Sequence, residues 1–369
     1  MSSVLVVALE ASADLHGAAV LRELRSLRPG LRAFGAGGPR MRAEGFEALV
    51  RAEDVSVMGI AEVLPALPRI LEAMDTLYDA ARDRQPRAAL LVDSPDFNLR
   101  LAKRLRMRRI PVAYFIGPSV WAWRTGRVRQ IARDVARMLV ILPFEERFYA
   151  AHHVAATYVG NPLADGLRTA ASERALTGVL ALLPGSRAQE IRHIWPPMLE
   201  AARLLKARRR ALRLVVPVAP TIDRALLGEA EDVELVDGGA PQVLARADAA
   251  IVASGTATLE SALQLTPMVV VYRTSSLTWS IGRMLVRVKF LSLVNLICGR
   301  AAVPELLQSG CTPERIAAEA EPLLARTPER AAQLEALNEV RARLAPLGAG
   351  GAARRVAEEV LALLEGHPA

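Results

Sequence analysis

The chain repeats one pattern: a short, unbroken aliphatic run, a turn of small or polar residues, then a helical stretch. Val4 to Leu9, Ala88 to Val92, Val112 to Ile116 and Met138 to Leu142 are such runs in the first half. Val179 to Leu183, Leu212 to Val218, Val233 to Val236, Ala249 to Ala253 and Met268 to Tyr272 follow in the second. Runs of this length, without polar alternation, suit strands buried on both faces. Such strands need helices as cover on each side, which makes the fold class α/β with parallel sheets. Two sets of runs predict two doubly wound, Rossmann-like domains facing across a cleft, and 369 residues suffice for two cores. The turn-rich stretch Asn161 to Thr177 reads as the linker. The expected domains are 1–165 and 166–350, with a last helix, 351–369, packing back on the N-terminal domain or on a partner chain. Leu31 to Phe34 and Tyr158 to Gly160 read as further short strands. Met41 to Leu49 and the stretch from Pro304 read as helices.

Composition narrows the partners. Lys and Arg number 47 against 39 Asp and Glu, a formal charge of +8. That balance favours anionic partners. Almost all of it is arginine, scattered over helical faces without interleaved aromatics, so no nucleic-acid groove is expected. Cys298 and Cys311 are the only cysteines; they cannot build a disulfide scaffold or a four-ligand zinc site, and they suit a reducing cytoplasm. No apolar run reaches the 18 residues of a spanning helix, and the start, Met1 to Glu10, lacks the basic region of a signal peptide.

Chemistry concentrates at the ends of the aliphatic runs, where open α/β sheets bind ligands. Ala181-Leu-Leu-Pro-Gly-Ser-Arg187 joins a strand to a long helix. Ser186 with Gln189 fits a capping box, Gly185 permits close backbone approach, and Arg187 adds a guanidinium suited to phosphate. Ser254-Gly-Thr-Ala-Thr-Leu-Glu260 repeats the arrangement, with Thr256 as the expected cap. One turn offers an Arg and the other a Glu, which suits phosphate on one side and a ribose diol on the other. In the first half, Asp93 follows a strand directly, with Ser94 and Pro95 as N-cap and first residue of the next helix. Glu10 stands in the same relation to the first strand. Trp121 and Trp123 share one loop, which reads as a packed corner or a binding wall. His152 and His153 have no ligand partner at metal spacing.

The motif series resembles the lipid-A-disaccharide synthase family. It comprises Ser56-Val-Met-Gly-Ile-Ala-Glu-Val-Leu64, Asp93-Ser-Pro-Asp-Phe-Asn98, Pro118-Ser-Val-Trp-Ala-Trp-Arg124, Leu182-Leu-Pro-Gly-Ser-Arg187, Ala253-Ser-Gly-Thr-Ala257 and Asn295-Leu-Ile-Cys-Gly-Arg300. The blocks occur in the family's order and span about residues 4 to 365. The resemblance implies a GT-B glycosyltransferase joining UDP-2,3-diacylglucosamine to 2,3-diacylglucosamine 1-phosphate. The products would be the β-1,6-linked lipid A disaccharide 1-phosphate and UDP. It implies no metal or other cofactor, a cytoplasmic enzyme peripheral on the inner face of the inner membrane of a Gram-negative bacterium, contact with anionic lipids, and scope for a homodimer. Carried over residue by residue, it makes Asp93 the expected base with Glu10 in reserve. Gly185, Ser186, Arg187, Ser254, Gly255, Thr256, Glu260, Asn295 and Arg300 become donor contacts. Ser12, Met58, Ile60, Val63, Leu67, Trp121 and Trp123 fall on the acceptor and lipid side. The chain departs from the family at Leu9 and Ala13, where glycines are usual around Glu10, at Asn161, where His is commoner, and at Val294, where Pro is usual.

Other GT-B enzymes, a lipid-linked N-acetylglucosamine transferase or a UDP-N-acetylglucosamine 2-epimerase, share the general pattern. A non-catalytic basic scaffold for lipid or nucleic acid would leave the paired strand ends without use. Two stretches suit a membrane surface: the apolar Val57 to Met74, and the apolar, basic Leu277 to Phe290 with Arg283, Arg287 and Lys289.

Overall fold

A computed structural model describes residues 2–55, 60–122, 126–165, 175–219, 222–228, 230–275, 279, 288–345 and 350–366, with backbone alone for 60–66. The chain divides into two compact units, Met1–Asp165 with Ala345–Ala369, and Gly166–Leu344. The C-terminal unit therefore stops short of the expected residue 350, and the final segment belongs to the N-terminal unit.

The N-terminal unit carries a seven-stranded parallel sheet. Its strands are β1 (Ser3–Ala8), β2 (Arg32–Gly37), β3 (Glu47–Arg51), β4 (Ala88–Val92), β5 (Val112–Phe115), β6 (Arg137–Val140) and β7 (Ala156–Tyr158), in the order β3-β2-β1-β4-β5-β6-β7. β1 and β4 pair with Val4 beside Ala88 and Ala8 beside Val92. Helices cover both faces: α1 (Ala11–Leu27), α2 (Pro39–Ala43), α3 (Ala52–Val55), α4 (Ile60–Arg84), α5 (Pro95–Met107), α6 (Arg127–Asp134) and α7 (Pro143–Ala150). Val4, Val6 and Ala8 join the core under α1, whereas Leu5, Val7 and Leu9 join the core under α4 and α5. This is why β1 is aliphatic at every position from Val4 on.

The C-terminal unit carries a six-stranded parallel sheet, β10-β9-β8-β11-β12-β13. Its strands are β8 (Val179–Leu183), β9 (Arg213–Val218), β10 (Val233–Asp237), β11 (Ala249–Ala253), β12 (Met268–Tyr272) and β13 (Glu305–Leu307). The helices are α8 (Ala188–Arg208), α9 (Ala240–Leu244), α10 (Thr256–Leu263), α11 (Leu293–Cys298), α12 (Pro313–Ala320) and α13 (Pro328–Leu344). A last helix, α14 (Gly351–Leu364), packs on α1, with Val356, Ala357, Val360 and Leu364 buried. Asp165 fixes its start by accepting from the Ala352 amide at 3.1 Å.

Two strands overturn helical expectations. The helix begun at Pro39 ends at Ala43, and Glu47–Arg51 forms the edge strand β3, paired with β2 through a bulge at Gly35/Ala36. Glu-Leu-Leu after Pro304 forms β13 at the other sheet's edge, beside β12. Both are edge strands of five and three residues. In each, the partner strand, rather than local propensity, decides the conformation.

Candidate active site

In the N-terminal unit, β1 and β4 are neighbours, but α1 and α5, which follow them, cover opposite faces. The chain parts at their carboxyl ends and leaves a crevice, the usual ligand position in such a sheet. Glu10 sits there as the N-cap residue of α1, and Asp93 directly after β4. Ser94 Oγ donates to Glu10 Oε1 at 3.0 Å and links the two strand ends. Ser94 occupies the N-cap position of α5, but its side chain makes no cap bond. Burial pushes the Asp93 carboxyl up to about 6, the nearby Glu10 charge adds to this, and a hydrogen bond from the Ser94 backbone opposes it. Asp93 is thus a carboxylate at neutral pH with much greater proton affinity than a solvated one.

Other side chains near these strand ends have jobs within the fold. Asp14 is buried and accepts from the amides of Gly38, Arg40 and Met41, fastening α1 to the turn that starts α2. Leu9 and Ala13, which stand where family glycines are usual, are both buried in the cores. Ser12 is exposed in the first turn of α1. Trp121 Nε1 donates to Glu145 Oε1 at 3.0 Å, and its ring meets Phe144 edge-on at 5.0 Å, which makes this side chain part of a packed corner. Glu145 also accepts from the Leu142 amide at 3.0 Å, and burial pushes its carboxyl up to about 7 against these bonds. Met58 and Trp123 lie outside the described residues, as do the side chains of Ile60 and Val63. Leu67 is exposed, as is Leu71 one turn on.

In the C-terminal unit, the ends of β8, β9, β10 and β11 surround a cavity of about 520 Å³. Gly185, Ser186, Arg187, Ser254, Gly255, Thr256 and Glu260 all line it. Gly238 and Gly239, at the end of β10, complete it; sequence reading overlooked them, although a Gly-Gly pair after a strand was visible. Gly185 has φ +112°, a conformation that disfavours any residue with a Cβ, and a Cβ there would also push on Glu190 Oε2 at 2.8 Å. Ser186 is not the N-cap residue that the expected capping box requires. Arg187 itself is the N-cap residue of α8, without a side-chain cap bond. Its guanidinium pairs with Glu190 at 2.7 Å and is 77% exposed, which leaves most of its donors facing water. Gly255, not Thr256, is the N-cap of α10, because Thr256 already has helical geometry at the first position. Ser254 Oγ donates to Leu291 O at 3.0 Å. Burial raises the Glu260 carboxyl above its ordinary range.

Asn295 and Arg300 lie away from this lining. Asn295 is buried with its amide bonds used inside the unit: Oδ1 accepts from the Ala302 and Val303 amides, and Nδ2 donates to Val303 O and Glu305 Oε1. Arg300 pairs with Glu339 at 2.6 Å. Among the described residues no group of three His, Cys, Asp or Glu side chains is placed to hold a metal ion.

The sequence profile of the lipid-A-disaccharide synthetase family matches residues 4–347. The chain belongs to the lipid-A-disaccharide synthase family. A lipid-A-disaccharide synthase of Anaeromyxobacter dehalogenans (strain 2CP-C) is 54% identical over 98% of this chain and 97% of its own. That of Myxococcus xanthus (strain DK1622) is 51% identical over the same shares. Among solved structures, MurG of Acinetobacter baumannii aligns with TM-score 0.60 at 15% identity, covering 98% of this chain and 99% of its own. A UDP-GlcNAc 2-epimerase from Neisseria meningitidis aligns with TM-score 0.60 at 12% identity over 99% and 100%. The structural likenesses give the GT-B fold, two Rossmann-like parallel-sheet domains. The family membership gives the activity: a glycosyltransferase of lipid A disaccharide synthesis, acting on acylated glucosamine substrates.

Proposed function

We propose that Asp93 is the base of an inverting transfer from UDP-2,3-diacylglucosamine to 2,3-diacylglucosamine 1-phosphate. The 6-hydroxyl of the acceptor gives its proton to Asp93 as its oxygen bonds the anomeric carbon. The bond from that carbon to the phosphate oxygen breaks, its electron pair leaves with UDP, and the new linkage is β-1,6. The observation that carries this is the pairing of a desolvated Asp93 with Glu10 at the switch point of the sheet. A base of raised proton affinity suits a hydroxyl whose acidity appears only as the bond forms. Glu10 orients the site through Ser94 and keeps the proton affinity of Asp93 high.

UDP is assigned to the glycine-lined cavity of the C-terminal unit. The amides opening α8 and α10 and the guanidinium of Arg187 would meet the pyrophosphate. Glu260, at the opposite lining, would accept from the ribose hydroxyls. The cationic help comes from the protein, and no metal step is needed. Because both substrates are acylated, the enzyme works at a membrane surface of anionic lipid. Leu67 and Leu71 offer an apolar contact on α4, and the basic stretch to Lys289 offers charge. A cytoplasmic location on the inner face of the inner membrane, with a homodimer as the working form, is the corresponding expectation.

Incubation with the acylated UDP donor and the monosaccharide phosphate tests the reading. Mass spectrometry should find the disaccharide phosphate with stoichiometric UDP. Conversion of UDP-N-acetylglucosamine to its manno epimer, without disaccharide, would assign the chain to epimerase chemistry instead.

A further inference from the structure

We propose that Tyr114 and Asn98 are positioning residues of the transfer, which clamp the main-chain carbonyl of Asp93 and so hold its carboxylate in the crevice. The inference rests on Asp93 as the base and concerns what keeps it there.

Asp93 and Ser94 have φ of +53° and +44°, two successive non-glycine residues in the left-handed region. Cβ crowding disfavours each, so the surroundings must enforce the conformation. Three hydrogen bonds on Asp93 do so. Its amide donates to Phe115 O at 3.0 Å, continuing the pairing of β4 with β5. Its carbonyl then turns out of the ladder and accepts from Tyr114 Oη at 2.6 Å and from Asn98 Nδ2 at 2.8 Å. With the amide and carbonyl both fixed, the Cα–Cβ bond from which the carboxyl hangs is fixed in direction, close enough to Glu10 to feel its charge.

Both clamping residues are fully buried. Asn98 serves at a cost. Its Nδ2 reaches Val92 O at 3.1 Å as well as Asp93 O, but its Oδ1 is buried without a partner. An apolar side chain would avoid that orphaned acceptor and would lose the clamp. Tyr114 is the third residue of β5, beside Phe115, and the bond from its hydroxyl goes to the strained residue. Among the described residues, the charged and titratable groups around the clamp are Glu10 on the β1 side of Asp93, and Tyr149, Arg127 and Asp96 around Tyr114.

Tyr114→Phe removes one hydroxyl and keeps the ring. Turnover should fall by about tenfold or more with KM for both substrates within about twofold, the signature of an interaction that matters in the transition state. The acid limb of the pH–rate profile should also move to lower pH, because a released Asp93 returns toward solvent. Asn98→Ala should shift the same readouts in the same direction, and it serves if the first variant does not fold. Asp93→Asn is run beside them. If it loses turnover while both clamp variants keep wild-type kcat and acid limb, whatever their melting temperatures, the clamp is refuted and the base stands. If Asp93→Asn keeps wild-type turnover, the base assignment fails and the clamp with it.

Discussion

Asp93→Asn should make the protein more stable and nearly inactive. The carboxyl titrates at about 6 in the native state against an ordinary 3.8. The gap is about two pH units at 1.36 kcal/mol each, or about 3 kcal/mol before screening. Asp93 keeps some solvent contact, so about 1–3 kcal/mol is the expected cost of holding it ionised. Its sign follows from the raised value. Below 3.8 the carboxyl is protonated in both folded and unfolded chains, and there is no penalty. Between 3.8 and about 6 the folded chain holds the proton more tightly, so the penalty grows with pH; above that it is constant. Asn has no charge to desolvate and keeps an oxygen to accept from the Ser94 backbone. At pH 8 the unfolding of the N-terminal unit should therefore rise by roughly 2–12 °C, at about 2–4 °C per kcal/mol for this size. At pH 4 the difference should nearly vanish. Turnover should fall by about 10²–10⁴, the share of a general base. Differential scanning calorimetry at the two pH values, with turnover on the same preparations, checks both halves. An Asn variant that melts at or below wild type at pH 8 would refute the desolvation argument, and one that keeps turnover would refute the base.

Arg187→Ala should weaken UDP binding by roughly 10- to 100-fold, from about 1.5–3 kcal/mol for a charged hydrogen bond, with Lys a partial rescue; titration calorimetry measures it. Exhaustive EDTA treatment should leave turnover intact, and a loss restored by Mg²⁺ would contradict the metal-free reading. Asn295→Ala should destabilise the C-terminal unit by about 2–4 kcal/mol, since it orphans two buried amides and a carboxylate bond, and a denaturant melt followed by UDP titration separates this from a donor contact. Changing Arg283, Arg287 and Lys289 together to Gln should reduce flotation with anionic vesicles, and Leu67→Ser with Leu71→Ser should reduce the salt-resistant remainder; unchanged flotation in both would remove these surfaces from membrane contact.

What was legible in the sequence was the central part of each sheet. Ala88–Val92, Val179–Leu183, Ala249–Ala253 and Met268–Tyr272 are strands at the expected bounds, because burial on both faces leaves no choice but aliphatic residues. The edges were not legible. Glu-Ala-Leu-Val-Arg and Glu-Leu-Leu have no strong local preference, and pairing on one side settles them. The caps failed for a related reason. Ser186 and Thr256 are good capping residues, but the chain enters each helix through a glycine of unusual φ, which moves the N-cap to Arg187 in one case and to Gly255 in the other.

The site shows the same boundary between what spacing encodes and what it cannot. Position after a buried strand is a one-dimensional fact, and it was enough to bring Glu10 beside Ser94 and Asp93, and Arg187 into one cavity with Glu260. Whether a polar side chain at such a place is free for a ligand is a three-dimensional fact. Asp14, Asn295 and Glu145 are all polar, near strand ends or named motifs, and each spends its hydrogen bonds on backbone amides or a neighbouring side chain of the same unit. Asp93 differs from them in kind. Its main chain is held by three bonds, and its carboxyl has the Ser94 backbone bond but lies desolvated within the charge of Glu10, another carboxylate. A fold that wanted only stability would satisfy that group or replace it. Holding a desolvated carboxylate near a second one on a strained backbone makes sense where a proton has to be taken up, which is why this position, rather than the better-bonded acids around it, is the one we propose as the base.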